Sequence, residues 1–183
     1  ASGSVVMTAD GLVAGTFMAG AVSVGAITTT GTVGADGVGS GGAAGDIVIK
    51  ADSLAATGAI VSTGGAADGA GNKAGGAAGD ISLLSNTSTI TLGGVITATG
   101  GLATGSGANG AAGDIVITQQ AASRSSTLTI ANAITAIPGA KVGATTDGAV
   151  GSITITAGNV TVSETIKAST VNIIADSTYS QGD

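Results

Sequence analysis

The sequence lacks the residue types on which many catalytic, redox and aromatic binding sites depend. It has no cysteine, histidine or tryptophan, and it has one proline, one phenylalanine and one tyrosine among 183 residues. Disulfide bonds therefore do not stabilise the fold, and neither a histidine base nor a thiol nucleophile is present for catalysis. We expect that the chain is not an enzyme and that it carries no cofactor.

Charge is also scarce, at 9% of residues, and it is mostly acidic, with a net charge of −6. The basic residues lie far apart without aromatic neighbours: Lys50, Lys73, Arg124, Lys141 and Lys167. Nucleic-acid binding uses clustered basic groups and stacking aromatics, so we predict no nucleic-acid partner. No apolar run approaches the ~18 residues of a membrane-spanning helix, so we predict no membrane insertion.

What the chain does contain is glycine, at 34 residues, and short alternating runs of Ile, Val and Leu. Glycine has no period of three and proline is nearly absent, which excludes collagen, and the apolar runs argue against disorder. One phrase recurs: GGAAGDIVI at 41–49, GGAAGDISL at 75–83, NGAAGDIVI at 109–117, and a divergent GAVGSITI at 148–155. The chain is therefore an internal repeat.

The shortest repeat shows the structural unit most clearly, because residues 152–173 hold a full unit without insertion. Three alternating segments follow one another: segment a (Ile153-x-Ile155), segment b (Val160-x-Val162) and segment c (Ile166-x-Ala168). Alternation with period two predicts short strands that bury one face. Equivalent segments occur in every longer unit, and segment c always begins with isoleucine.

Three strands followed by a return to the first predict an all-β fold, a right-handed parallel β-helix or β-solenoid, with one domain spanning residues 1–183. A β-sandwich also uses short alternating strands, but it does not explain why the same hydrophobic residues recur at equivalent positions of every repeat. We expect about five turns, stacked at ~4.8 Å. The predicted core columns comprise Ile47, Ile81, Ile115, Ile153, Ile27, Ile60, Ile96, Ile134 and Ile166.

The longer units differ from the shortest one by Gly/Ala-rich insertions at about residues 31–45, 64–79, 100–113 and 138–151. Each insertion follows segment c, so all four leave the solenoid at the same corner, and the first unit has a further extension between a and b. We expect the insertions to stack along one edge and to pair through main-chain groups. Gly-Ala-Ala-Gly closes each insertion, and Asp-Ile re-enters the wall.

Three aspartates fall in one column at that re-entry point: Asp46, Asp80 and Asp114, with Ser152 in the fourth position. One hypothesis is a calcium ladder, assisted by oxygens of Asp36, Asp68, Asn72, Asn109 and Asp147. The nonapeptide signature of calcium-binding repeats is missing. We therefore favour the other interpretation, in which the aspartates cap the turns and face solvent.

Outward threonines form partial ladders on segments b and c, which are interrupted on c by Val61, Ile137 and Lys167. A flat Thr-x-Thr array is typical of ice-binding solenoids, so an ice- or carbohydrate-binding solenoid is the alternative function. Exposed strands also favour threonine for its propensity alone. A polysaccharide-cleaving enzyme is a weaker alternative, because Arg124 is the only arginine and such a groove needs convergent charges.

Apolar residues are also expected on the outside, at Val6, Val48 and Val116 on segment a and at Val61 and Ile137 on segment c. No amphipathic helix is available to cap the strand edges at either end. We predict a homo-oligomer or filament that forms through the solenoid ends and apolar walls, or a segment of a longer solenoid. A monomer whose irregular termini cover the edges is the alternative.

The segment GNVTVSETIKASTVNIIA, at 158–175, resembles the haemagglutinin-type repeats of filamentous-haemagglutinin-like exoproteins, and GAxGDIxI resembles the β-strand repeats of very large bacterial surface proteins. The resemblance covers most of residues 40–176. It implies a secreted or cell-surface parallel β-helix that serves in adhesion, matrix or filament formation. The Asn-Pro-Asn-Gly motif of the family's secretion domain is absent, and no functional residue carries over.

Overall fold

The computed structural model describes residues 3–9, 11–13, 16–18, 20–35, 39–120, 127–140 and 146–175. Within these ranges the regular structure is entirely β. The strands in chain order are β1 (Val5–Ala9), β2 (Gly11–Val13), β3 (Thr16–Met18), β4 (Ala21–Val24), β5 (Ile27–Thr30), β6 (Ile47–Ala56), β7 (Ile60–Thr63), β8 (Ile81–Leu92), β9 (Ile96–Thr99), β10 (Ile115–Gln119), β11 (Thr127–Ile130), β12 (Ile134–Ile137), β13 (Ser152–Ala157), β14 (Asn159–Val162), β15 (Ile166–Lys167) and β16 (Thr170–Ala175).

These strands form three walls, each built from one kind of segment. Wall a stacks in the order β1-β6-β8-β10-β13-β16, and wall c in the order β5-β7-β9-β12-β15. Wall b comprises β4, the second halves of β6 and β8, and the pair β11-β14. All wall pairings are parallel, which confirms the predicted parallel β-solenoid. The solenoid has about four turns, whereas the sequence indicated about five, and its first turn carries the β2-β3 hairpin.

Homologous residues lie directly over one another in these walls. The register pairs Ile47, Ile81, Ile115 and Ile153 in wall a. In wall c it pairs Ile27 with Ile60, Ile60 with Ile96, Ile96 with Ile134 and Ile134 with Ile166. The repeat of the sequence is therefore the repeat of the stack.

Inward positions of the three walls fill one continuous hydrophobic core. Eight of the nine isoleucines of the predicted columns are at most 8% exposed, and Ile166, in the last complete turn, is half-buried. Complete burial of such a side chain stabilises a fold by about 1.5–3 kcal/mol. Because every turn repeats the same positions, every turn adds a similar increment to the same core.

Two features depart from three separate short strands per turn. Segments a and b run together in β6 and β8, with a register shift between Ala51 and Ser53 at the corner. In the first turn, the extension between segments a and b contains the antiparallel pair β2-β3. The corner of the solenoid therefore tolerates both a bulge and a hairpin without loss of register in the walls on either side.

The described residues of the four insertions form an ordered projection, which we call the flange. Each insertion has an outgoing leg, which leaves wall c, and a returning leg, which enters wall a. Neighbouring returning legs are joined by main-chain hydrogen bonds at every third residue. The donor N–H groups and acceptor carbonyls are Gly41 to Ala74, Ala44 to Ala77, Gly75 to Ala108, Ala78 to Ala111, and Ala112 to Ala149, at 2.9–3.0 Å.

The outgoing legs repeat this period, because Gly31 donates to Thr63 and Gly34 donates to Ala66. Three residues per turn without bonds inside the leg is typical of polyproline II conformation, not of strands or α-helices. A second set of bonds joins outgoing legs to returning legs. These bonds run from Gly65 to Gly42, Gly76 to Gly65, Gly101 to Gly76, and Gly110 to Gly101, at 2.8–2.9 Å. The expected main-chain pairing of the insertions is confirmed for the described residues.

Glycine is required where these legs cross. A Cβ on Gly76 would overlap the carbonyl oxygen of Gly42, and a Cβ on Gly101 would overlap that of Gly65. At the tip of the second insertion the chain reverses through Gly71, with a φ of 101° that side chains other than glycine rarely adopt. The close approach of the legs therefore explains the glycine content of the insertions.

Candidate functional surfaces

The aspartate column lies at the corner where the flange joins wall a. The N–H of Asp80 donates to Oδ1 of Asp46 at 2.9 Å, and the N–H of Asp114 donates to Oδ1 of Asp80 at 2.8 Å. The N–H and hydroxyl of Ser152 both donate to Oδ1 of Asp114, at 2.7 and 3.0 Å. Each carboxylate thus binds the main chain of the following turn, which is the geometry of the capping interpretation.

Two of the residues expected to assist calcium bind main-chain groups of the flange instead. Asn72 Oδ1 accepts the N–H of Ser106 at 2.9 Å, and buried Asn109 Oδ1 accepts the N–H of Ala103 at 3.0 Å. Asp36 lies outside the described residues. In the part of the chain that the structure describes, no three acidic side chains converge on a point that could hold a metal ion. The hydrogen bonds of Asn72 and Asn109 therefore hold the turns of the flange.

Wall c presents the most regular outer surface. Each strand has two outward positions, and residues at the same position in successive turns form a column, which gives two columns. The first column is Thr28, Val61, Thr97, Thr135 and Lys167, and the second is Thr30, Thr63, Thr99 and Ile137. No register shift interrupts these pairings, so the side chains repeat at the strand spacing. The interruptions by Val61, Ile137 and Lys167 fall where the sequence placed them.

The threonines of wall b are less regularly arranged. Thr129 pairs with Thr161, and Thr127 pairs with Asn159, in the two-stranded part of this wall. The earlier turns place Ser53 and Ala55 at the positions of Thr89 and Thr91. Threonine ladders therefore extend over only part of wall b.

The apolar positions of wall a are interrupted by polar residues. Val6 is 67% exposed and Val116 is 39% exposed. Their column in register reads Val6, Val48, Ser82, Val116, Thr154 and Asn172. Val61 and Ile137 are half-buried within wall c. These residues provide apolar contact points, not a continuous apolar wall.

The last described turn leaves the core open. Val171 and Ile173 stack on Ile153 and Ile155, which are fully buried, yet each is 42% exposed. Val162 of wall b is 41% exposed, although its partner Ile130 is 1% exposed. Inward-facing hydrophobic side chains are thus accessible on this edge, together with strand main-chain groups that have no following turn among the described residues.

Sequence reasoning missed the bonds that cross between the two legs of the flange. A signal for them exists in the glycine doublets at 41–42, 64–65, 75–76 and 100–101. One glycine of each doublet forms a crossing hydrogen bond. Glycine doublets in the legs of the first three insertions are therefore a sequence signature of the packed flange.

The basic residues considered from the sequence are not brought together where the structure describes them. Arg124 and Lys141 lie outside the described residues, and Lys50 and Lys167 are exposed on different walls. Among the described residues, no helix has the length and hydropathy needed to cross a membrane. No family model, curated protein or solved structure matches the chain.

Proposed function

We propose that the chain is a stiff structural module of an extracellular assembly, namely a filament, a surface layer or an adhesin stalk. The proposal is that stacked turns provide a rod and that the rod lengthens by addition of further turns. The resemblance of residues 158–175 to filamentous-haemagglutinin-like repeats supports a secreted or cell-surface location. The fold contains no cysteine, so its stability does not depend on an oxidising compartment.

Stiffness is supported by two parallel sets of main-chain bonds along the solenoid axis. The walls contribute the strand ladders, and the flange contributes the leg-to-leg bonds, such as Gly75 to Ala108 at 3.0 Å. Bending the rod would stretch bonds in a wall and in the flange together. A solenoid with both sets resists bending better than one with walls alone.

The observation that carries the proposal is the open edge formed by Val162, Val171 and Ile173. A following turn with the same a, b and c pattern would bury these side chains and pair the strand edge, as each turn does for the one before it. Such a turn has the same chemistry whether it continues the same polypeptide or belongs to a second copy. Burial of apolar surface at about 25 cal/mol per Å² would drive the addition.

Electron microscopy and sedimentation of the purified chain test the proposal. We expect rods of constant width whose length increases with protein concentration. Ile173→Asp places a charge in the inward column and should shift the population to short particles. Asn172→Asp adds the same carboxylate one residue away on the outward side and should leave rod length unchanged. Dispersed single particles of the unmodified chain at high concentration would contradict self-assembly.

A further inference from the structure

Wall c combines regular spacing with an outer surface that is rich in threonine and carries a single charge. Six of its nine outward positions are threonine, and two more are the β-branched residues Val61 and Ile137. Lys167, in the last complete turn, is the one charged residue among them. β-Branched side chains are stiff at χ1, so the hydroxyl and methyl groups are held in fixed rows.

The hydroxyl groups on the two sides of wall c have different surroundings. The inward Thr29 hydroxyl donates to the carbonyl of Gly45 at 2.7 Å, and the inward Ser62 hydroxyl accepts the N–H of Gly79 at 2.8 Å. Among the described residues, the outward hydroxyls form no such bonds to protein atoms. Thr28 and Thr30 are exposed, and the four threonines of the following turns are partly exposed. The outward hydroxyls are thus available to a ligand outside the protein.

The spacing defines what kind of ligand fits. Neighbouring turns place equivalent threonines about 4.8 Å apart, and alternate residues of one strand lie about 6.6 Å apart. A matching ligand is flat, uncharged and periodic in two directions, and it both donates and accepts hydrogen bonds. Water molecules in a crystal face of ice meet all four conditions. We propose that wall c is an ice-binding surface.

Two other occupants fit less well. Burial of this wall against a second copy would remove six hydroxyls from water without defined partners, at a cost of about 1–3 kcal/mol for each unsatisfied group. Binding of a crystalline polysaccharide commonly uses aromatic rings that stack on sugars, but the chain has only two aromatic residues, and none of the described residues of wall c is aromatic. The chemistry of the wall therefore favours ice.

Measurement of thermal hysteresis and of ice-crystal faceting with the purified chain tests the proposal. We expect the chain to delay freezing below the melting point and to produce faceted crystals. Thr97→Lys, in the middle of the first column, should abolish most of this activity because it places a hydrated charge on the face. Lys167 already occupies the same column, so the wall accommodates a lysine side chain.

Thr129→Lys on wall b is the matched control, because it introduces the same side chain at an exposed strand threonine. It should retain the activity. Thr28→Lys, at a more exposed position of wall c, should also lose activity, and it keeps the test decisive if Thr97→Lys lowers stability. Absence of hysteresis and faceting in the unmodified chain would overturn the proposal. Equal loss in the wall b control, or binding to chitin or cellulose particles without any effect on ice, would do so as well.

This inference is independent of the proposed assembly. Wall c is a side of the solenoid, whereas further turns add at the strand edge that Val171 and Ile173 expose. Rod length measured for Thr97→Lys should equal that of the unmodified chain. Failure of ice binding and failure of assembly are therefore separate outcomes.

Discussion

At the scale of single residues, two types carry the backbone geometry of the flange and its junction. Glycine allows the legs to cross at main-chain contact distance, as at Gly76 and Gly101. Aspartate connects one turn to the next through its carboxylate, as Asp80 does for the N–H of Asp114. In the repeated Gly-Ala-Ala-Gly-Asp phrase, glycine therefore occurs where the main chain leaves no room for a Cβ. Aspartate occurs where a main-chain N–H of the next turn needs an acceptor.

Substitution of a crossing glycine should destabilise the protein strongly. Gly76→Ala places a Cβ on the carbonyl oxygen of Gly42. The backbone fixes the position of the Cβ and the oxygen is itself main chain, so neither can move aside easily. We expect a loss of about 1–3 kcal/mol, the usual cost of overpacking, in urea unfolding followed by circular dichroism. Gly25→Ala is the control, because a Cβ there meets no atom within 4 Å. Equal stability of the two variants would contradict the packed flange.

Substitution in the aspartate column should distinguish capping from metal binding. Asp80→Ala removes the acceptor for Asp114 N–H and should cost about 1 kcal/mol. Asp80→Asn retains an acceptor oxygen, so its melting temperature should stay closer to that of the unmodified protein. Added calcium should leave the melting temperature unchanged in all three proteins. A calcium-dependent increase that Asp80→Asn abolishes would instead support the calcium ladder.

At the scale of strands and legs, the sequence predicts the walls better than the flange. The walls could be predicted because alternation and the repeat together fix which residue stacks on which, as for Ile60, Ile96 and Ile134. The residues that link β2 to β3 are Ala-Gly and not the Asn-Gly or Asp-Gly typical of a tight hairpin turn, so the sequence indicated an extension there but not a hairpin. The continuous strands β6 and β8 result from corner geometry that alternation within each segment does not encode.

The flange was predicted as an ordered, stacked edge, but its conformation was not. Each leg is held by hydrogen bonds to equivalent legs of neighbouring turns and to legs that run in the opposite direction. Because these bonds all go to other segments, the sequence of one leg does not indicate its conformation. The same limit applies to the outer surfaces. Threonine at positions 97, 99 and 135 is equally consistent with strand propensity, and only the register shows that these residues occupy two regular columns on one wall.

Position within a column should determine how much a core isoleucine contributes. Ile96→Ala removes a side chain that is 1% exposed between two neighbouring turns, so we expect a cost of about 2–5 kcal/mol. Ile166→Ala makes the same change in the same column, where the side chain is only half-buried. It should cost clearly less in the same urea unfolding experiment. Equal costs would mean that the last turn is covered as completely as the middle of the solenoid.

At the scale of the whole molecule, the solenoid is a one-dimensional structure in which each turn contacts mainly its two neighbours. Stability, stiffness and the proposed lengthening all follow from that arrangement, because every turn both buries the preceding edge and presents an equivalent one. The side walls and the flange repeat with the same period. Each of these surfaces is therefore a row of structurally equivalent positions.

The central claim is that homologous residues of successive turns stack directly, and paired cysteines test it in a chain that has none of its own. Thr97 and Thr135 are register partners, at about the 4.8 Å strand spacing, which is within the Cα–Cα range of a disulfide. Thr97 and Ile137 are displaced by two residues and lie about 8 Å apart, outside that range. Under mild oxidation, the Thr97→Cys/Thr135→Cys variant should form an intramolecular disulfide rapidly and almost completely, and Thr97→Cys/Ile137→Cys should not. Efficient cross-linking of the displaced pair, or failure of the register pair, would contradict the stack on which the account rests.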